Sequence, residues 1–410
     1  MKSKKEKTDE IRKQIIEELK FKEELNDEKM KELISRYLLE KEITSQFSLK
    51  ERKSIGKEIF DSLRKMDVLQ DLLEDEEITE IMVNGPDHIF IEKRGRITKI
   101  ERQFSSKEGL LQIINYITSK CNREVNEASP IVDARLSTGE RVNVVLSPIA
   151  LNGPILTIRR FPKIPMSMER LIELKAITGE AADFLKKAVK AKYNIIVSGG
   201  TGCGKTSFLN ALSNYIPPEE RIITIEDSAE LQLQGIENLI RMETRMINME
   251  GGKNITIRDL IKTSLRMRPD RIIVGEVRGE EAMDMVGSAM NCGHDGSMSS
   301  AHANSASDML VRLENMILMS AELPISAIRR QIASGIDLII HLGRMRDKSR
   351  KVLEIIEIEG MEKEDIILNR IFQFQESSDN KEEKVKGELK KCGRLVHIYK
   401  MQNAGIKEPF

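Results

Sequence analysis

The residues Gly199-Gly200-Thr201-Gly202-Cys203-Gly204-Lys205-Thr206-Ser207 fit the pattern G-x-x-x-x-G-K-[ST], with Gly199, Gly204, Lys205 and Thr206 at the fixed positions. Such a stretch can hold a phosphate. Glycines let successive backbone N–H groups approach an anion without side-chain clash. A helix starting at the lysine adds free N–H donors and the positive end of its dipole. Lys205 can place an ammonium on the β- and γ-phosphates, and Thr206 can offer a hydroxyl to Mg²⁺. A Gly-rich turn can match the pattern by chance, so the flanks matter. An apolar run, Ile195 to Val197, precedes the glycines, and Thr206, Phe208, Leu209 and Leu212 follow with helical spacing. Strand, loop and helix in that order predict nucleotide binding from Gly199 through Ser207.

Three later runs supply the other groups that phosphoryl transfer needs, which are chiefly positioning and charge-stabilising groups. They are Ile223 to Asp227 with Glu230, Arg271 to Glu276, and Gly293 to Asn304. Each ends an apolar or small-residue run, and strand ends are where ligands collect in open α/β sheets. Glu276 is expected beside Thr206 at Mg²⁺. Glu226 is a second carboxylate able to orient or activate water. His302 reads either as a structural histidine or as a contact to the γ-phosphate. Lys205, Glu226, Glu276 and His302 are the candidate catalytic residues; Thr206 and Glu276 are the candidate metal ligands.

Positioning these groups takes more than one domain. The chain has 410 residues, enough for two or three. Lys+Arg and Asp+Glu both number 66, so net charge is zero. The chain has no Trp and few aromatics. Neither fits a protein dominated by nucleic-acid affinity. The cysteines Cys121, Cys203, Cys292 and Cys392 form no C-x-x-C pair, so no disulfide framework or zinc site is expected, and a reducing cytoplasm fits. No apolar run approaches the roughly 18 residues needed to span a bilayer. Met1 to Lys7 is basic without a following apolar region, so no secretory signal is expected.

Along the chain, residues 1–70 read as helices. Ile11, Ile15, Ile16 and Leu19 form one run, broken at Asn26 and Asp27; Met30, Leu33, Ile34, Tyr37 and Leu38 form a second. Ser48 with Glu51 predicts a capping box before a third helix carrying Ile55, Ile59, Phe60 and Leu63. A small bundle and a docking arm both fit, and the charge-laced faces favour the bundle. Residues 71–162 read as a small α+β domain. Its strands are Ile78 to Val83, Ile89 to Ile91, Ile97 to Ile100, Ile131 to Leu136, Arg141 to Leu146 and Ile155 to Arg160. Arg94-Gly95 marks a hairpin, Ser137-Thr138-Gly139 a turn, and Ser105 with Glu108 predicts a capped helix through Ile117. Arg135, Arg141, Arg159 and Arg160 on the last strands read as a polar face, or as a source of one or two phosphate ligands, since the Arg fork pairs with phosphate oxygens.

Phe161 to Pro165 marks a linker, assigned to residues 163–175. Thr178 predicts a cap for a helix through about Ala191. Beyond it, residues 176–375 alternate strands (Ile222 to Ile225, Ile272 to Val274, Ser297 to Ala301, Ile336 to Leu342) with helices, which predicts a mostly parallel α/β sheet. Val352 to Ile358 and Ile366 to Phe374 are further strands. Residues 376–410 read as a polar tail, with Glu376 to Lys391 as loop or disorder.

Taken together, these residues resemble the secretion ATPase superfamily of type II and type IV secretion systems and type IV pili. The look is most similar to the CpaF/TadA branch, which assembles Flp (tight-adherence) pili. Carrying it are Ile81 to Pro86, Pro130 to Leu136, Leu156 to Phe161, the phosphate loop, Thr256 to Gly279 and Gly293 to Ser305. The resemblance covers about residues 70–375. It implies an ATP- and Mg²⁺-dependent hexameric ring, with nucleotide between a PAS-like α+β domain and a RecA-like domain. It implies that Lys205 and Thr206 belong to Walker A, Glu226 and Asp227 to the Asp box, Glu276 to Walker B and His302 to the His box. Arg141 and Arg159 are then the candidate N-terminal-domain arginines near the γ-phosphate. The implied partner is an inner-membrane platform protein, with the ATPase cytoplasmic and peripheral to the membrane. Ser299-Ser300 stands where relatives often carry a threonine, and Cys203 occupies a variable position. The alternatives are a conjugation or type IV secretion ATPase, a pilus retraction motor, and a scaffold that binds ATP without turnover. The joint presence of Lys205, Glu226, Glu276 and His302 counts against the last.

Overall fold

The computed structural model describes residues 11, 14, 15, 18, 27–39, 48–64, 68–93, 95–104, 106–121, 123–136, 138–160, 165–245, 254–377 and 384–407. Ile16, Leu19, Asn26, Arg94, Ser105, Ser137 and the start of the expected linker, Phe161 to Ile164, lie outside them. The chain forms two compact units, residues 1–162 and 163–410.

In the first unit, helices Asp27–Leu39 and Leu49–Arg64 bury Met30, Leu33, Ile34, Leu38, Ile55 and Ile59 together with Ile11 and Ile15. Asp27 is the first residue of its helix rather than a break. Ser48 and Glu51 form the expected reciprocal cap, with each backbone N–H donating to the other's side chain, at 2.8 and 3.3 Å. Next come the short helix Val68–Glu74 and a six-stranded antiparallel sheet of β1 (Ile78–Asn84), β2 (Ile89–Lys93), β3 (Arg96–Ile100), β4 (Ile131–Arg135), β5 (Arg141–Val145) and β6 (Ile155–Arg159). Their order is β3-β2-β1-β6-β5-β4. Helix Lys107–Lys120 buries Leu110, Ile113, Ile114 and Ile117 in the same core as the sheet's inward residues. Its cap is Ser106, whose hydroxyl accepts from Gly109 N–H; the expected pairing of Ser105 with Glu108 was one residue out of step.

The second unit contains a nine-stranded sheet. Its strands are β7 (Ile195–Gly199), β8 (Ile222–Glu226), β9 (Leu239–Glu243), β10 (Arg271–Val274), β11 (Met298–Ala301), β12 (Leu338–Arg344), β13 (Arg350–Glu362), β14 (Asp365–Glu376) and β15 (Gly387–Lys391). The order is β15-β14-β13-β12-β7-β11-β10-β8-β9. From β12 to β9 every pairing is parallel, which makes the fold α/β. From β12 to β15 the strands are antiparallel. Side chains of the central strands alternate between two cores. Ile195 and Val197 of β7 join helices Gly179–Lys190 and Lys205–Ser213, whereas Ile196 joins helices Ala306–Leu318 and Ile325–Gly335. Burial on both faces explains why these strands read as unbroken apolar runs.

Two parts of the sequence reading need correction. The stretch Glu376 to Lys391 is not all loop: β15 pairs along β14 with Leu389 buried, while its lysines and glutamate face out. A charged edge strand carries too few apolar residues to show its period. Residues 378–383 of that stretch lie outside the described residues. The polar tail also contains helix Tyr399–Asn403, pinned by Met401 in the core and by Lys400, whose ammonium reaches Asp295 at 2.8 Å and Asp337 at 2.7 Å. Among the described residues no helix is long and apolar enough to cross a membrane.

Among the described residues the largest fully buried side chain is Arg271, at the start of β10. Its Nε and Nη2 donate to the two carboxylate oxygens of Glu220, and Nη1 donates to Val189 O at 2.7 Å. This bidentate pair fixes β10, and therefore the Glu276 that follows it. Removing the carboxylate leaves a guanidinium buried without its counter-charge. Glu220→Ala is therefore expected to lose about 3–5 kcal/mol of stability, read as a lower urea midpoint at unchanged slope.

Candidate functional site

β7 runs into the phosphate loop, and the loop runs into helix Lys205–Ser213. Gly199 ends the strand at φ 153°, and a Cβ there would lie 2.5 Å from Leu342 O and 2.6 Å from Cys203 Sγ. Neither the backbone angle nor the space accepts a side chain. Gly204 caps the helix at φ 95°, in the left-handed region. Thr201 and Gly202 are exposed at the loop's crest, and Cys203 is buried beneath it, where burial pushes its thiol above the usual range. Thr206 and Ser207 lie in the first turn of the helix, half-buried.

Lys205 is only 8% exposed. Its ammonium donates to Gly199 O at 3.0 Å and Gly200 O at 3.1 Å, and it lies 3.3 Å from His302 Nδ1. His302 follows β11, the strand next to β7. His302 Nε2 in turn lies 2.9 Å from Glu276 Oε1. Burial, and after it the nearby cations, depress the imidazole's pKa, while Glu276 opposes this. The ring is therefore neutral near pH 7, a polar link between Lys205 and Glu276 rather than a third charge. Glu276 comes two residues after β10, and Arg278 Nε donates to its Oε2 at 2.8 Å. Arg278 also reaches toward Asp227, at 3.8 Å.

Glu226 is the last residue of β8 and is 3% exposed. Its Oε1 accepts from the backbone N–H of Glu230 and of Leu231, both at 2.9 Å. Among the described residues its Oε2 has no hydrogen-bond partner. Burial raises its pKa to about 7 against the pull of those two N–H donors. Gly275, next to Glu276, makes room for it: a Cβ at 275 would meet Glu226 Cγ at 2.9 Å. The parallel register pairs Val274 with Ile225 and Val274 with Ser299, and so brings the ends of β8, β10 and β11 level. Ser300 Oγ donates to Gly275 O at 2.7 Å and so ties β11 to the Glu276 turn.

The carboxylates suit a hard, hydrated cation. Glu276 Oε1 forms no hydrogen bond of proper geometry, only the 2.9 Å approach of His302. Among the described residues no group of three or more His, Cys, Asp or Glu gathers as a metal cage. Mg²⁺ does not require one, because it takes one or two carboxylates and completes its shell with water and phosphate oxygens.

The chain belongs to the type II/IV secretion system protein family. Residues 62–399 match that family's model. The conjugal transfer protein TrbB of Rhizobium radiobacter is 32% identical over 310 residues, covering 75% of this chain and 91% of TrbB. The type IV secretion system protein PtlH of Bordetella pertussis is 31% identical, covering 72% of this chain and 95% of PtlH. The pilus retraction motor PilT, crystallised with bound ADP, has the same fold at a TM-score of 0.53 and 17% identity, covering 82% of this chain and 86% of its own.

In this secretion-system protein Lys205, His302 and Glu276 form one connected site in the second unit, with Glu226 against the Glu276 turn. Arg141 and Arg159 lie in the first unit, directly opposite each other on β5 and β6. Arg141 pairs with Asp133 at 3.0 Å, Arg135 donates to Gly139 O, and Arg160 donates to Asp75 O and Ile78 O. Arg135 and Arg160 thus brace their own domain. Sequence reasoning missed Arg278 as the partner of Glu276, although its i+2 spacing was visible. It also missed the Arg344–Arg350 end of the β12–β13 hairpin, whose place beside the loop only the sheet order sets.

The raised Glu226 pKa has a stability consequence. The folded state holds its proton up to about pH 7, whereas an unfolded Glu releases it near 4.3. The stabilisation is complete below the unfolded pKa and is lost as pH rises through about 7. Glu226→Gln removes it. Urea titrations at about pH 5 and pH 8 are expected to show the wild-type loss shrinking by on the order of 3 kcal/mol in the variant.

Proposed function

We propose that this chain is a Mg²⁺-dependent ATPase that works as a hexameric ring motor at the inner face of the cytoplasmic membrane. The observation that carries this reading is the linked set around the loop: buried Lys205, neutral His302, Glu276, and a Glu226 whose inner oxygen is unpartnered. In this reading the loop residues Gly199 to Ser207 wrap the phosphates. Lys205 neutralises the β- and γ-phosphates, and His302 reports the γ-phosphate to Glu276. Bound Mg²⁺, held by Thr206 and Glu276, supplies Lewis-acid charge to the phosphate oxygens. Glu226 accepts the proton of the attacking water. The water oxygen bonds to the γ-phosphorus, the bond from that phosphorus to the β–γ bridging oxygen breaks, and ADP and phosphate leave. A base that titrates near pH 7 suits this task.

The remaining roles belong to the same proposal. Residues 71–162 form the PAS-like domain and 176–375 the RecA-like ATPase domain. Arg141 and Arg159 approach the γ-phosphate, with Arg141 leaving Asp133 to do so. Domain closure then acts on an inner-membrane platform protein. The motifs Ile81 to Pro86 and Thr256 to Gly279 support the CpaF/TadA branch and Flp pilus assembly. A second reading, a conjugation or type IV secretion ATPase, is favoured by the names of the relatives TrbB and PtlH.

Phosphate release with ATP and Mg²⁺ at several protein concentrations tests the enzyme. Specific activity is expected to rise with concentration and to fall at least about 100-fold in Lys205→Ala and Glu276→Gln; nucleotide binding without turnover would point to a scaffold. Deleting the gene separates the roles: loss of surface filaments supports pilus assembly, excess filaments support retraction, and unchanged filaments with lost conjugation support the second reading.

A further inference from the structure

The β12–β13 hairpin contributes a feature that the phosphate-loop pattern does not contain. Its residues 344–351 are basic: Arg344, Arg346, Lys348, Arg350 and Lys351 against the single acid Asp347, in a chain of zero net charge. Because β12 lies beside β7, the hairpin's turn end falls next to the loop. Arg350 Nε donates to Gly202 O at 2.9 Å, across 148 residues of sequence. The two glycines around Cys203 register the closeness: a Cβ on Gly204 would lie 3.4 Å from Arg350 Cδ, and one on Gly202 would lie 3.5 Å from Arg344 Nη1.

Two physical points follow. A peptide unit is planar and trans, so its carbonyl and the next N–H point to opposite sides. Holding Gly202 O from one side turns the Cys203 N–H toward the other. The loop binds anions through its N–H groups, so an outer donor that fixes a carbonyl orders that cradle before the ligand arrives. Secondly, Arg344 and Arg350 stand directly opposite each other in the antiparallel register, so the ladder itself places both beside the loop.

We propose that Arg350 is a positioning residue for the phosphate loop, bracing Gly202 from outside. This rests on the nucleotide reading above. The ligand class is the polyphosphate of a nucleotide, and ATP and ADP are affected alike, since the brace acts on the loop and not on the γ-phosphate.

The test is equilibrium binding of ATP and of ADP with Mg²⁺ by calorimetry on the full chain, together with steady-state phosphate release. Arg350→Ala is expected to weaken both ligands about tenfold or more, as for losing a charge-assisted hydrogen bond, with the loss falling on KM rather than kcat. Arg350→Gln keeps a donor without the charge and is expected to recover part of the affinity. Arg350→Lys keeps the charge without the planar fork and recovers less. Arg346→Ala removes a charge from the same hairpin, where the guanidinium pairs with Glu376, and is expected to bind as wild type. Wild-type affinity in Arg350→Ala overturns the inference, as does rescue by Lys but not Gln, or an equal loss in Arg346→Ala. If the wild-type chain binds neither nucleotide, the functional reading itself fails. Should Arg350→Ala prove unstable, Arg350→Gln against Arg350→Lys decides the matter.

Discussion

A buried ammonium sets the terms for the site. Lys205 sits under the loop, where its ammonium donates to two backbone carbonyls and lies against the His302 imidazole. In the proposed reading that ammonium meets the nucleotide's phosphates. Glu276 Oε1 lies 2.9 Å from His302 Nε2, the nitrogen that also lies 3.4 Å from the Lys205 ammonium.

The sheet makes this arrangement stiff. β7, β11, β10 and β8 are neighbours, parallel, and packed on both faces, so their C-terminal ends arrive at one edge in fixed register. Each delivers one group: the loop from β7, His302 after β11, Glu276 after β10, Glu226 at the end of β8. The Arg271–Glu220 pair anchors the opposite end of β10 and β8, and the Lys400 cluster joins the segments leading into β11 and β12. Both charge clusters lie away from the phosphate loop. They fix where the strands start, and the strand lengths then fix where the functional groups end.

Glu226 shows how environment rather than residue type assigns chemistry. It and Glu276 are both glutamates at strand ends. Glu276 faces an arginine and a histidine, whereas Glu226 is enclosed by Gly275 and two backbone N–H groups with one oxygen unpartnered. Burial therefore raises the pKa of Glu226 to about 7. The same distinction separates the arginines. Arg160 spends its donors on carbonyls of its own domain, while Arg350 spends one on the phosphate loop.

By itself the sequence determined the loop, its flanking strand and helix, the apolar strands of the parallel sheet, and the cap residues Ser48 and Thr178. These are local: glycine tolerance of positive φ, side-chain period, and hydrogen bonds spanning three residues leave direct marks on residue order. It also marked Glu226, Glu276 and His302 as strand-end candidates. It left β15 hidden, because a charged edge strand shows no apolar period, and it set the helix cap at Ser105, one residue before the Ser106 that makes it. Only the tertiary structure decided that His302 joins Lys205 to Glu276, that Gly275 shelters Glu226, and that Arg350 reaches Gly202 across 148 residues. Those contacts depend on which strands are neighbours and in what register, and strand order is a property of the packed sheet that no local spacing encodes.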